Sequence, residues 1–161
     1  MRNAHSYFLT YKLPSIRLKL LEAVKASAHG DAYSVIFMKF FDEYYVEVQK
    51  HIDYEDQIVF PYVTNLLSGK ANSKFKIRDF EAHHTDIDSK LAELKKILIK
   101  HYPAKGVSYQ LNDVLFDLLA CEKDLQAHNR VEDYFFVPLV EAIENKKRMI
   151  HGLQKFKNTC Y

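Results

Sequence analysis

Tryptophan is absent from the 161-residue chain, cysteine occurs twice, and glycine and proline occur four times each. Cys121 and Cys160 lie far apart and in no paired motif, so the sequence offers neither a disulfide framework nor a zinc ribbon. Cys121 reads as a small core residue and Cys160 as a tail thiol. Long apolar runs are also missing; the longest are a few residues and are broken by charge, which excludes a membrane span. The opening stretch MRNAHSYFLTYK lacks the continuous apolar core of a signal peptide, and a soluble, cytoplasmic protein is expected. Nor is there an excess of one charge. With 23 basic and 21 acidic residues the formal net charge is +2, giving no electrostatic case for nucleic acid or an acidic membrane.

What remains is abundant apolar material: 48% of residues are hydrophobic, with 11 Phe and 11 Tyr. A chain of this length forms one domain, residues 1–161, and buries roughly two-thirds of its unfolded surface. Gly30, Gly69 and Gly106, the last close to Pro103, divide it into four long segments, and such junctions are helix stops. Helices are expected at about 3–28, 32–67, 74–101 and 108–147, with a frayed Lys-rich tail from about 148. No segment alternates with a two-residue period, and the junctions are short. The fold predicted is all-α, an antiparallel up-down four-helix bundle.

The seams of these helices carry polar residues where apolar ones belong. In the second helix Phe37, Phe41, Tyr44, Val48, His51, Glu55, Ile58 and Tyr62 advance by steps of four and three, the rhythm of a buried stripe. The third runs Ile77, Phe80, His84, Ile87, Leu91, Leu94, Leu98, which puts His84 in the seam and His83 about 100° away. The fourth runs Leu111, Val114, Leu118, Cys121, Leu125, His128, Glu132, Phe135, Leu139. In the first, His5, Leu9, Leu13, Ile16, Leu20 and Val24 form a looser stripe. Pro14 is expected to end a turn or kink its helix, and Pro61 and Pro138 to kink theirs and end the seam beyond the polar residues. Counting residues from each junction, at about 1.5 Å per residue, brings all four sets of polar residues to roughly one level.

Four imidazoles and two carboxylates in an apolar interior cost several kcal/mol each without partners, and a metal resolves that cost. Imidazole with carboxylate suits iron, zinc, manganese or copper. Positions i and i+4 lie one above the other on a helix, so in HIDYEDQIVFPYV and in HNRVEDYFFVPLV the imidazole can cap one metal while the glutamate bridges towards a second. The candidate ligands are therefore His51, Glu55, His128, Glu132 and His84, with His5 as the fourth imidazole and His29 as its rival. Six protein ligands on two metals leave open positions, as a site for oxygen, nitric oxide or peroxide requires. Glu47 and Asp124, each four residues before a ligand histidine, read equally as outer partners of those rings or as surface charges.

These motifs resemble the hemerythrin-like HHE family, and most closely the di-iron domain of the RIC (repair of iron centres) proteins. HIDYEDQIVFPYV is similar to the family's His-Met-x-Lys-Glu-Glu-x-x-x-Phe-Pro block, FEAHHTDIDSKLAELKKIL to its Glu-His-Asp helix, and EKDLQAHNRVEDYFFVP to its Asp-Leu-His-x-His-x-His-x-Glu-Asn block. HSYFLTYKLPSI resembles its His-x-Tyr followed by Leu-Pro-x-Ile, favouring His5, whereas SAHGDAY resembles a segment whose histidine is not a ligand. The resemblance implies two non-haem irons, oxo- and carboxylate-bridged, meeting O2, NO or peroxide. It further implies a role in nitrosative or oxidative stress, with iron donated to damaged iron–sulfur proteins. Reversible oxygen or nitric oxide binding without repair is the alternative, and a peroxidase or oxidase the third reading. Gln126 and Arg130 replace histidines common in the family block, and the Cys-bearing N-terminal domain of such repair proteins is absent, which counts against direct cluster repair.

Overall fold

Apolar residues recurring at three- and four-residue steps, with glycine scarce, leave helix as the conformation that buries them on one face. The structure, a computed structural model, describes residues 1–25, 30–70, 75–81, 84–100 and 109–159. It describes their side chains except those at 30–35, 81, 84–86, 88, 98, 151 and 153–159. In chain order the elements are α1 (Arg2–Ser6), π1 (Tyr7–Lys12), α2 (Leu13–Lys25), α3 (Gly30–Tyr54), π2 (Glu55–Val59), α4 (Phe60–Leu67), α5 (Arg78–Glu81), α6 (His84–Lys100), α7 (Tyr109–Val131), π3 (Glu132–Phe136) and α8 (Val137–Thr159). The described residues include no strand, so the all-α class holds, and the four long helical stretches are those of a four-helix bundle. Among the described residues no helix is long and apolar enough to cross a membrane.

The second stretch stops where Gly69 adopts φ +81°, a left-handed conformation open to glycine and costly for a Cβ-bearing residue. Around it the Gly69 amide donates to the Leu66 carbonyl at 3.3 Å and the Lys70 amide to the Asn65 carbonyl at 3.0 Å. This is the paired bonding of a Schellman motif. At the other end of the sequence, helix continues to Thr159, past the point at which the sequence reading ended it. Arg148 pairs with Glu144 one turn back at 3.3 Å, and the Lys147 ammonium donates to the Leu66 carbonyl.

One correction concerns the seams beyond the His-Glu pairs. The helices run on through Pro14, Pro61 and Pro138, and each has a π-helical segment just before the proline. A π-turn holds one extra residue, so the buried face moves on by one position beyond it. Leu139, seven residues after Glu132, would share its face in an α-helix, yet it is 62% exposed, while Val140 is buried. Phe135 is likewise 72% exposed and Ile58 45%, where the seam reading placed both inward; Val137 and Val59 are buried instead. Upstream of the π-turns the seams are as read: Phe37, Phe41, Tyr44, Val48, Leu111, Val114, Leu118, Cys121 and Leu125 are all buried.

The chain forms two compact units. The first comprises Met1–Asp53 and His83–His128. Its core joins Leu13, Ile16 and Leu20 of α2, Phe41 and Tyr44 of α3, Leu91 and Leu94 of α6, and Val114 and Leu118 of α7. Arg17 grips Asp42 with two bonds at 2.7 and 3.0 Å, Lys19 meets Asp117 at 2.5 Å and Lys95 meets Glu122 at 2.5 Å, tying α2 to α3, α2 to α7 and α6 to α7. The two exposed pairs, Arg17–Asp42 and Lys19–Asp117, each contribute little, so the apolar core dominates. The second unit comprises Tyr54–Ala82 and Asn129–Tyr161. Its core is Val59, Leu66, Ile77, Phe80, Val137 and Val140. Aromatic contacts close it: Tyr54 stacks on Phe80, Tyr62 meets Phe75 edge-on at 4.8 Å, and Phe60 meets Phe136 at 6.0 Å.

Candidate metal centre

His5 sits on α1, two residues before π1, with 3% of its surface exposed. His51 is three residues before the end of the α3 run Gly30–Tyr54 and is 6% exposed. Glu55 and Glu132 open π2 and π3, and both are fully buried, at 0%. His128 is half-buried on α7, one turn before Glu132. The imidazoles of His5 and His128 meet edge to face with centroids 5.2 Å apart, and Phe8 covers the His128 ring at 6.2 Å. Residues 123 positions apart in sequence are thus adjacent because α1 and α7 both present their seams to one core.

A His/Glu cluster exists: His5, Glu55, His128 and Glu132 each offer one ligand atom, and these atoms all lie within 4.8 Å of one another. Two donors on opposite sides of a metal, each about 2.1 Å away, stand about 4.2 Å apart. Neighbouring donors on one ion stand closer, at about 3–3.5 Å, so the set lies within about 1–2 Å of the spacing a cation requires, and two imidazoles with two carboxylates is a donor set that suits iron, zinc or manganese. Carboxylates removed from water also need a compensating charge, which a divalent cation supplies.

His51 is buried but stands outside this group of four, and the side chain of His84, at the start of α6, lies outside the described residues, as does the rival His29. His83 and His101 also lie outside them. Glu47 and Asp124 take the surface reading: Glu47 accepts a bond from Lys50 at 3.0 Å, and Asp124 is exposed. Cys121 is the expected core residue, and burial pushes its thiol up to about 11 from 9.0.

Two buried polar residues were not singled out from sequence. Asn129, beside His128, is 5% exposed. Glu144, 7% exposed, accepts the Tyr62 hydroxyl at 2.7 Å and the Ile77 amide at 3.1 Å on one carboxylate oxygen, while Arg148 donates to the other at 3.3 Å. Burial, then the bond to Glu144, drives the Tyr62 phenol above its ordinary range, so it is held as a donor. The signal for Glu144 was displaced by the π-turn: counted straight from Glu132 as an α-helix, position 144 leaves the seam.

The family model of the hemerythrin HHE cation-binding domain matches residues 15–140, which includes His51, Glu55, His84, His128 and Glu132 and leaves His5 ahead of the match. No curated protein and no solved structure matches the chain. With the matched segment covering most of its length and a His/Glu cluster in the fold, the chain belongs to the hemerythrin HHE cation-binding family, whose domains bind metal ions, typically iron, and small ligands such as O2.

Proposed function

We propose that the chain is a cytoplasmic non-haem di-iron protein that meets O2, NO or peroxide at a buried centre, in defence against nitrosative or oxidative stress. The observation that carries the reading is the approach of His5, Glu55, His128 and Glu132 to within 4.8 Å at their ligand atoms. In this assignment His5, His51, His84 and His128 would hold the ions through their imidazoles, and Glu55 and Glu132 through their carboxylates. Iron held there supplies a redox-active Lewis acid with open coordination positions. The protein's own contribution is charge and exclusion. Two fully buried carboxylates set two negative charges against the cations, and Phe8 covers the His128 ring against water.

Iron release to damaged iron–sulfur proteins is the outcome implied by the resemblance to repair proteins. Complete burial of Glu55 and Glu132 favours a second reading, in which the metal is retained and O2 or NO is bound reversibly without repair. Metal analysis of protein from iron-supplemented cells should give about two irons per chain, lost in a His51→Ala/His128→Ala variant. A metal content unchanged by those substitutions would sink the assignment. NO added to the loaded protein then separates the outcomes: a reversible spectral change with iron retained supports binding, and transfer of iron to an apo iron–sulfur protein supports donation.

A further inference from the structure

Three of the four prolines stand inside helices, and each has the same backbone feature ahead of it. The segments π1, π2 and π3 end two residues before Pro14, Pro61 and Pro138 respectively. In each, the residue preceding the proline donates its amide five residues back: Leu13 to the Phe8 carbonyl, Phe60 to the Glu55 carbonyl, Val137 to the Glu132 carbonyl. Proline brings no N–H, and its ring collides with the carbonyl four residues earlier, here those of Thr10, Gln57 and Tyr134. One extra residue in the turn moves that carbonyl off the ring and lets the preceding amide find an acceptor. The proline is thus sufficient cause for the π-turn in all three places.

Two of the three acceptors are the backbone carbonyls of Glu55 and Glu132 themselves. Hydrophobic burial does not select this register, because both alternatives are apolar. An unbroken α-helix would carry Phe135 and Leu139 inward; the π-turn carries Val137 and Val140 inward and leaves Phe135 72% and Leu139 62% exposed. The winning register also packs Phe136 against the second unit's core, so the two registers offer comparable apolar surfaces and burial alone does not choose between them. We propose that Pro61 and Pro138 are positioning residues of the metal centre. By opening a π-turn on each bridging glutamate they set the rotation of its carboxylate against the core anchors beyond it. Pro14 does the same beyond His5. The inference rests on the reading of Glu55 and Glu132 as ligands.

The test uses Pro61→Ala and Pro138→Ala, singly and together, in the full chain. Register is read without metal by thiol labelling of Leu139→Cys in a Cys160→Ser background, and by hydrogen exchange at the Phe60 and Val137 amides. Iron affinity is read by competition with a chelator. Alanine at 138 should protect the thiol introduced at position 139 from labelling, and alanine at both positions should weaken iron binding about 10- to 100-fold, as loss of an outer support typically does. The melting temperature of the metal-free protein should hold or rise, because alanine is the better helix former. Labelling and exchange unchanged by the substitutions would show that the prolines do not cause the π-turns and would overturn the proposal. So would a relaxed register with iron affinity retained, or single variants that fail to fold, since the prolines would then hold the fold rather than the site. A wild-type chain that binds no iron would instead defeat the metal reading and leave the register measurement standing.

Discussion

Glu144 shows how much one side chain can organise. Its carboxylate satisfies the Ile77 amide and the Tyr62 hydroxyl, so Glu144→Ala should leave buried donors unmet and cost about 1–3 kcal/mol in chemical denaturation, with Glu144→Gln milder. Tyr62, with its folded pKa raised, contributes stability that is complete below its unfolded value of 10.0 and is lost as pH rises above it. Cys121 follows the same sign: with its thiol raised from 9.0 to about 11, stability is complete below pH 9.0 and lost as pH rises through about 11. A melting profile against pH should therefore fall on the alkaline side, and Cys121→Ala should remove part of that fall. At pH 8 only about a thousandth of the Cys121 thiol is ionised, so a Cys160→Ser protein should resist alkylation until unfolded. At this scale the members of the His/Glu cluster were legible. His5, Glu55, His128 and Glu132 stood out as polar residues in apolar stripes, whereas Glu144 was hidden because its phase depends on a turn that no stripe reveals.

Among the elements, the stop after α4 and the π-turns stand at opposite ends of legibility. Gly69 was readable as a stop because a left-handed residue closes a helix cheaply only when it lacks a Cβ. No atom lies within 4 Å of where a Cβ would be added there, so Gly69→Ala should cost only the backbone strain, about 1 kcal/mol, seen as a lower denaturation midpoint with an unchanged slope. The π-turns were readable only as prolines in helices, for which a kink was the natural expectation. The helices accommodated them by taking in a residue, which left Ile58, Phe135 and Leu139 facing outward where periodicity had aimed them inward.

For the molecule as a whole, bound metal and stability are linked, since anything that binds only the folded state stabilises it. Stripping metal with a chelator should lower the melting temperature, and re-adding ferrous iron should restore it; Glu132→Ala should be insensitive to either treatment. A wild-type melting temperature unmoved by chelation would argue against a cation at these residues. By itself the sequence determined the helical class, the four-stretch division and the residues that would be costly to bury, because periodicity and desolvation are local properties of the chain. Only the tertiary structure decided that His5 pairs with His128, since proximity across 123 positions follows from packing and not from spacing. It also decided which residues beyond Glu55 and Glu132 face inward, because two apolar faces competed and periodicity does not show where a turn takes in an extra residue.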